Sequence, residues 1–574
     1  MEFTKQLPDT TDFGELIDNN CIYVDKTAII NQFASKKGPF FISRPRRFGK
    51  STLINTLHEL FTHGTEKFKG LEIEPLWKDK TYKVLHLDFS IFKEVPSNSS
   101  FNKEFMDSLK FSLERAGIKP TNEKVDFPAK LLEKSIENED ERSVVLLVDE
   151  YDAPLTAVLN DSNEFEDRRK ILFNFYMTVK SFQVKFRFIF ITGVTYYAHT
   201  SIFSAFNNLT DLTLDSDYGA LLGYTSEELE KYFSEYIDNA VVTLNKKFPT
   251  ERYTHEKVVE ELKRNYDGYS FDEDCMHHVY NPWSILNFLK SPHRGFIPYW
   301  VVSGGSTPTF LVNYLKQGLE KYNADELQSL LQIDSTVDKV SSKLYPTIDN
   351  IAKNDLFAIL YQAGYFCIKG ENRKILQIGI PNLEVKRAYS EIMLRLLTNN
   401  NDVQEKFTTS LYDVLCENKL DKLKDIFNCF INELSYETVK NFNEACFRDV
   451  LKLAMLTFNV TAATEVMGAC GRADITAEAG DYLYVFELKV TDNSKDIATK
   501  LNEAKAQIIK NKYARRLTDK IVVPLALVLE NNSKSRDKSD TPVCEIVALE
   551  KVWFSTEKCG ITQNWQIYIG SNRI

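Results

Sequence analysis

The 574-residue sequence has no two cysteines in C-x-x-C spacing, and its cysteine count, 9, is odd. That excludes a zinc-ribbon module and a disulfide framework, and it points to a reducing compartment with buried thiols. The N-terminal run MEFTKQLPDTTDFGEL lacks the apolar core of a secretory signal. No stretch approaches the ~18 apolar residues of a membrane helix. The longest apolar runs, such as Val144–Val148, have the length of buried strands. A soluble cytoplasmic protein without a membrane partner is the expectation. Positive charge is also in deficit, with 71 Lys and Arg against 81 Asp and Glu and a net charge of -10. A protein coated in phosphate contacts is basic, so this balance argues against a histone-like binder and leaves room only for a local basic groove. Repeats of 20–50 residues are absent, which removes solenoids and propellers. What is present is a globular composition, 43% hydrophobic and 12% aromatic, too apolar for a disordered chain. At roughly 100–200 residues per domain, the length allows about three to five domains.

Along the chain the pattern changes twice. Up to about residue 225, short apolar runs (39–43, 84–90, 143–149, 186–193) alternate with amphipathic segments such as Ser51–Thr62 and Asn102–Ala116. Runs that apolar have no wet face, so they predict a parallel sheet covered on both sides, an α/β domain. Residues 226–439 read as a mostly helical middle or lid region. Helical spacing occurs at Ser226–Phe248, His255–Tyr266, Ala324–Gln332 and Val385–Leu397, with a strand pair near 365–380. Residues 440–574 return to α/β. A helix (Asn443–Leu456) precedes strands at 473–479 and 482–490, then a helix (Lys495–Leu517) and a strand at 520–530. The biased stretch 531–540 reads as a solvated loop.

The first constellation follows the strand at 39–43. The run Ser43-Arg44-Pro45-Arg46-Arg47-Phe48-Gly49-Lys50-Ser51-Thr52 ends like the phosphate loop G-x-x-x-x-G-K-[ST], with Arg44 where the first glycine belongs. Gly49 lets backbone N–H groups close on phosphates, Lys50 reaches the β- and γ-phosphates, and the Ser51 hydroxyl suits Mg²⁺, with Thr52 beside it at the helix start. At the acidic end of the later strand 143–149, Asp149 can hold Mg²⁺ through water and Glu150 can orient the attacking water. Arg46 and Arg47 can neutralise phosphate charge in cis, though salt bridges on a loop explain them equally well. Thr192, at the end of its strand, is a candidate for sensing the γ-phosphate.

The second constellation is a hairpin. Asp474 opens one strand, and Glu487 and Lys489 project to one face of the next, since side chains alternate along a strand. A turn through 478–481 lays Asp474 beside Glu487 and offers two carboxylates and one ammonium to a hard cation and a phosphate. The E-x-K tripeptide alone carries nothing. It recurs at Glu384–Lys386 and Glu417–Lys419 without strand context. Between Lys489 and Lys520 nine Lys or Arg meet four acidic residues, the local excess a phosphate backbone needs and a solvated helix face also shows.

These residues resemble a known family. Tyr23-Val24-Asp25-Lys26-Thr27, Arg44-Pro45-Arg46-Arg47-Phe48-Gly49-Lys50-Ser51, Asp149-Glu150-Tyr151-Asp152-Ala153-Pro154 and the run 201–209 are similar to the AAA-ATPase-like family. So are Tyr266-Asp267-Gly268-Tyr269, Tyr280-Asn281-Pro282-Trp283-Ser284, Tyr361-Gln362-Ala363-Gly364-Tyr365 and the run 380–385. In that family the arginine-rich string is itself the phosphate loop, so the resemblance makes Arg44 typical. One departure is the run 194–200, where a basic residue is expected and His199 is the substitute on offer. The segments 471–474 and 487–489 resemble the PD-(D/E)xK nuclease superfamily in the form that follows this ATPase-like domain. That resemblance adds Glu465 as a third carboxylate and Gln507 as a helix-borne polar contact. It implies ATP and Mg²⁺ as cofactors, with Mn²⁺ as an option at the nuclease site, and a nucleic-acid substrate, DNA in the first instance. A homo-oligomer that completes the ATP site with a neighbour's arginine stays open. The leading expectation is a P-loop ATPase that drives or gates a metal-dependent nuclease. The alternatives are a nucleotide-dependent switch that binds without cleaving, and a nuclease whose nucleotide is only structural.

Overall fold

The structure is a computed structural model. It describes residues 3–94, 98–158, 161–194, 206, 208–302, 324–340, 356–373, 375–398, 411–434, 442–458, 460–468, 471–511, 520–531 and 544–552. The chain divides into two compact units, one formed by 1–310 with 336–385 and the other by 311–335 with 386–574.

The first unit is built on five strands, β1 (Gly38–Ser43), β2 (Lys83–Asp88), β3 (Val144–Asp149), β4 (Phe186–Gly193) and β5 (Thr210–Asp211). They lie in the order β2-β3-β4-β1-β5, and every pairing is parallel. The parallel-sheet expectation is therefore borne out, and its reason is visible in burial, since every residue of β3 and β4 is buried. Alternation sorts the two faces. Ile189 and Ile191 of β4 join a core with Leu146, Val148 and the helices Asn98–Arg115, Pro128–Ile136 and Ser162–Ser181. Phe188 and Phe190 point the other way, where Phe33, Phe40 and Phe61 stack around them. The run at 84–90 leaves the sheet earlier than its apolar pattern predicts. At Asp88 the side chain accepts a hydrogen bond from the Ser90 N–H at 2.9 Å, and a 3-10 turn (Phe89–Glu94) begins.

A helical layer follows in the same unit. The helices Ser226–Lys247, His255–Tyr266 and Pro282–Lys290 close a core around Leu229, Phe233, Ile237, Leu262 and Phe288, and Ile22 and Val24 from the N-terminal segment belong to it. Caps define two of these helices. Thr225 and Glu228 form a reciprocal capping box, and the Asn281 side chain accepts from the N–H groups of Trp283 and Ser284. The expected strand pair appears as β7 (Cys367–Asn372) and β8 (Ile375–Gly379), with β6 (Val337–Val340) on the far side of β8.

The second unit carries a mixed five-stranded sheet, β9 (Thr461–Gly468), β10 (Gly471–Ala479), β11 (Tyr482–Thr491), β12 (Ile521–Asn531) and β13 (Cys544–Lys551), in the order β13-β12-β11-β10-β9. Only β11 and β12 are parallel, and the helix Ile497–Lys510 makes the crossover between them, burying Ala504 and Ile508 against Leu483, Val485 and Ala526. Phe486 and Tyr484, on the alternate positions, face Phe427 and the carbonyl of Leu415. The helix Glu444–Thr457 packs against β9, β10 and β11. The expected C-terminal α/β domain is thus present. Among the described residues no helix is long and apolar enough to cross a membrane.

The tightest backbone approach in the parallel sheet is at Gly193, the last residue of β4. A Cβ there would lie 2.5 Å from Asp152 Oδ1 and 2.5 Å from the Tyr151 ring, both of which follow β3. The contact is with a buried carboxylate and a buried ring, neither able to retreat. Gly193→Ala should therefore destabilise the protein by about 2 kcal/mol, read as a lower urea midpoint in equilibrium unfolding.

Candidate active sites

The first site lies at the carboxyl ends of the parallel strands, where open α/β sheets bind ligands. β1 runs into the helix Lys50–His63 through the arginine-rich loop. Gly49 takes φ +90°, a left-handed conformation that glycine adopts without strain, and its carbonyl accepts the Leu53 N–H at 3.0 Å. Lys50 is 6% exposed, and its ammonium donates to the carbonyls of Arg44 and Pro45, each at 2.9 Å. Burial pulls its pKa down to about 8, although Asp149, Glu150 and Asp152 act to raise it. Ser51 Oγ donates to Asp149 Oδ2 at 2.7 Å. Burial pushes the Asp149 carboxyl up to about 6, against the Ser51 hydrogen bond and the Lys50 charge. Thr52 is half-buried in the first helical turn.

The predicted residues therefore converge: the Ser51 hydroxyl and the Asp149 carboxylate touch, with the Lys50 ammonium acting on the same carboxylate. Hydroxyl and carboxylate oxygens are the donors that Mg²⁺ prefers, so this set fits the ion. Glu150 follows in a left-handed conformation, φ +49°, and its carboxylate is held by Lys93 at 2.5 Å. The Thr192 hydroxyl, between β1 and β3 in the sheet, is buried and has no hydrogen-bond partner among the described residues. Arg46 is half-buried and its charge acts on Lys50. Arg47 is exposed, and its guanidinium lies 4.1 Å from the centre of the Trp283 ring. Arg44 is structural. It is 1% exposed and donates to the carbonyls of Ser43 at 2.9 Å and Thr213 at 2.6 Å. His199 and most of the run 194–200 lie outside the described residues.

The second site is the β10–β11 hairpin. Its ladder runs from Ala479↔Tyr482 to Ile475↔Phe486, and the next level brings Asp474 to Glu487. On the other side of β10, Ala473↔Val466 and Ile475↔Thr464 bracket Asp474 with Glu465. Three carboxylates thus occupy one level of the sheet, contributed by three adjacent strands. Their side chains do different things. Asp474 Oδ2 accepts the Leu488 N–H at 2.9 Å, where the ladder has ended. Glu487 is 0% exposed, and Lys489 Nζ lies 3.1 Å from its Oε1. Burial works to lower the Lys489 pKa, but Glu487, Glu444 and Asp474 outweigh it and the pKa is raised. Glu465 takes φ +56°, and its carboxylate is gripped by Arg448 at 2.5 Å and Arg472 at 2.8 Å. Asp474, Glu487 and Lys489 form the compact group, while Glu465 is engaged by arginines. Among the described residues no three His, Cys, Asp or Glu side chains form a preassembled metal cluster. Gln507 is half-buried on the crossover helix. Part of the basic excess nearby is internally paired, Lys500 with Glu503, Lys505 with Glu550 and Lys520 with Glu478.

Residues 9–203 match the family model described as predicted AAA-ATPase, and residues 442–538 match that of the PD-(D/E)XK nuclease superfamily. The chain is thus similar to the AAA-ATPase-like family over residues 9–203 and to the PD-(D/E)XK nuclease superfamily over residues 442–538. The motifs at 23–27, 44–51 and 149–154 fall inside the first match, and Glu465, 471–474 and 487–489 inside the second, so the resemblance is borne out there. The run 201–209 extends past the first match, and the motifs from 266 to 385 lie outside both. An Azotobacter chroococcum mcd 1 protein, described as an uncharacterized protein in the vnfD 5' region, is 28% identical over 483 residues, 82% of this chain and 86% of its own length.

Several residues at the two sites escaped sequence reasoning. Asp88 pairs in register with Asp149 and raises its pKa further, and Lys93 reaches Glu150 from the turn after β2. The strand end at Asp88 was the available signal. In the nuclease-like unit the helix Glu444–Thr457 supplies Glu444, 3.6 Å from Lys489, and the buried trio Arg448, Asp449 and Lys452. In the sequence, the four charges at 444, 448, 449 and 452 carry i, i+4 spacing and read as a solvated helix face.

The Glu487–Lys489 pair has a stability consequence. Removing the ammonium leaves a fully buried carboxylate without its cation. Lys489→Met should cost about 3 kcal/mol in thermal or chemical unfolding of the nuclease-like unit, whereas Asp474→Asn, which keeps an oxygen for the Leu488 N–H, should cost less than about 1 kcal/mol.

Proposed function

We propose that the protein binds and hydrolyses ATP and uses this to drive or gate a metal-dependent nuclease that cleaves phosphodiester bonds in nucleic acid, with DNA as the favoured substrate. The observation that carries the reading is that one chain brings together Lys50, Ser51 and Asp149, in contact or charge range, and Asp474, Glu487 and Lys489, on one hairpin. Gly49, Lys50, Ser51, Thr52 and Arg46 would receive the phosphates. Ser51 and Asp149 would hold Mg²⁺ at the ATP site, and Asp474 and Glu487 would hold Mg²⁺ or Mn²⁺ at the nuclease site, with Glu465 available if its arginines let go. When bound, the ion supplies positive charge to a phosphate and acidifies a water.

The chain's own groups do the rest. Glu150 accepts a proton from, and orients, the water that attacks the γ-phosphate. Lys489 stabilises charge on the cleaved phosphate, and its buried partner Glu487 holds the ammonium at one point. The net charge of -10 suits an enzyme whose nucleic-acid contacts are confined to one cleft. The domain reading is an ATPase-like region at 1–225, a mostly helical region at 226–439 and a nuclease-like region at 440–574. Free thiols at Cys21, Cys275, Cys367, Cys416, Cys429 and Cys446 are in keeping with a cytoplasmic setting. A homo-oligomer that lends an arginine to the ATP site belongs to the same reading.

A second reading, a nucleotide-dependent switch, draws on the Lys93–Glu150 ion pair, which occupies the carboxylate that turnover needs. Two assays separate them. With Mg²⁺ or Mn²⁺, the wild type should nick or degrade DNA and Asp474→Asn should not. Glu150→Gln should keep ATP binding and lose phosphate release by at least about a hundredfold, the scale of a lost general base. No cleavage of DNA or RNA in any nucleotide state removes the nuclease, and equal phosphate release from the wild type and Glu150→Gln removes hydrolysis at this site.

A further inference from the structure

The nucleotide loop keeps one glycine, Gly49, where the phosphate-loop pattern has two. A glycine-poor loop needs another source of shape, and the structure supplies it from distant parts of the same unit. Arg44 lies 4.7 Å over the Phe271 ring while donating to Thr213. Pro45 abuts Gly364, where a Cβ would come within 2.7 Å of the proline. Phe48 meets Tyr269 and Phe271 edge-on at 4.8 and 4.9 Å. Arg47 rests on Trp283 at 4.1 Å.

The Arg47 contact differs from the others because of the backbone beneath it. Arg47 has φ +72°, in the left-handed region that side-chain-bearing residues avoid. Such a conformation persists only where the surroundings hold it. Trp283 is well placed to do so. Its N–H is capped by Asn281 Oδ1 at 3.0 Å, and the next residue, Ser284, donates to the buried Glu384 carboxylate at 2.8 and 2.9 Å. The indole therefore sits on a rigid base. Arg46, the neighbouring arginine, is the one whose charge acts on Lys50.

We propose that Trp283 is a positioning residue of the nucleotide site. By holding Arg47 in its left-handed conformation, it aims the loop N–H groups that receive the phosphates, while Arg46 supplies charge. This rests on the ATP-binding reading above and extends the site to a wall, Tyr269, Phe271, Trp283 and Gly364, that touches the loop. A glycine at 47 would reach the same backbone conformation without the anchor.

The test is binding of a fluorescent ATP analogue with Mg²⁺ to the full chain. Trp283→Ala and Arg47→Ala should each weaken binding about threefold to tenfold, the range of a cation–π contact, and the double variant should be no weaker than either. Trp283→Phe, which keeps a ring face under the guanidinium, should bind within about threefold of the wild type and still show the coupling if Trp283→Ala does not fold. Arg47→Gly should bind more tightly than Arg47→Ala and be indifferent to Trp283→Ala. Losses that multiply in the double variant, a Trp283→Ala that binds as well as the wild type, or an Arg47→Gly no better than Arg47→Ala would each overturn the proposal. A wild type that binds no Mg·ATP would instead overturn the ATP reading, and this inference with it.

Discussion

Charges taken out of water organise both sites. Lys50, Asp149 and Glu487 are each 6% exposed or less, and an isolated charge in such a place is too costly to keep. Each is therefore tied to a specific counter-group. Lys50 is tied to two loop carbonyls and the field of three carboxylates, Asp149 to Ser51 and Lys50, and Glu487 to Lys489. The same constraint explains why these groups sit at strand ends and hairpin mouths. Only there can a side chain be both shielded and open to a phosphate. It also explains the shifted pKa values of Lys50 and Asp149, which mark groups whose charge is not yet fully compensated by the protein alone.

The arginine-rich loop is a second consequence of compensation from outside. Most of what fixes it comes from residues 213–218, 269–283 and 364, far away in sequence. The aromatic and glycine motifs of that region acquire a physical reason in this way. Gly364 is small because Pro45 is against it, and Tyr269 and Phe271 are aromatic because Phe48 and Arg44 pack on them. Arg44 stands in the place of a glycine because it works as a buried brace, with its guanidinium spread over backbone carbonyls.

Local pattern made much of this readable in the sequence. The strands 143–149, 186–193, 473–479 and 482–490 were legible almost to the residue, because apolar runs bounded by turn residues have few other solutions. Asp474 beside Glu487 followed from strand alternation and a short turn. What could not be read was anything set by distant partners. Arg47 carries the same local signature as Arg46, yet only Arg47 lies on Trp283, 236 positions later. Glu465 looked like a metal ligand from its place before β10. It lies level with Asp474, but Arg448 and Arg472 hold its carboxylate. Glu444 and Lys93 approach the two sites from elements whose charges look like ordinary surface.

Calorimetric titration of the full chain with Mg·ATP, in buffers of different ionisation enthalpy, reads the uncompensated charge directly. Asp149, raised to about 6, must lose its proton to face a cation, and Lys50, lowered to about 8, must gain one to face a triphosphate. Binding should therefore release protons near pH 6 and take them up near pH 8, after correction for the titration of free Mg·ATP. Binding that exchanges no protons at either pH, or no binding at all, would contradict the account.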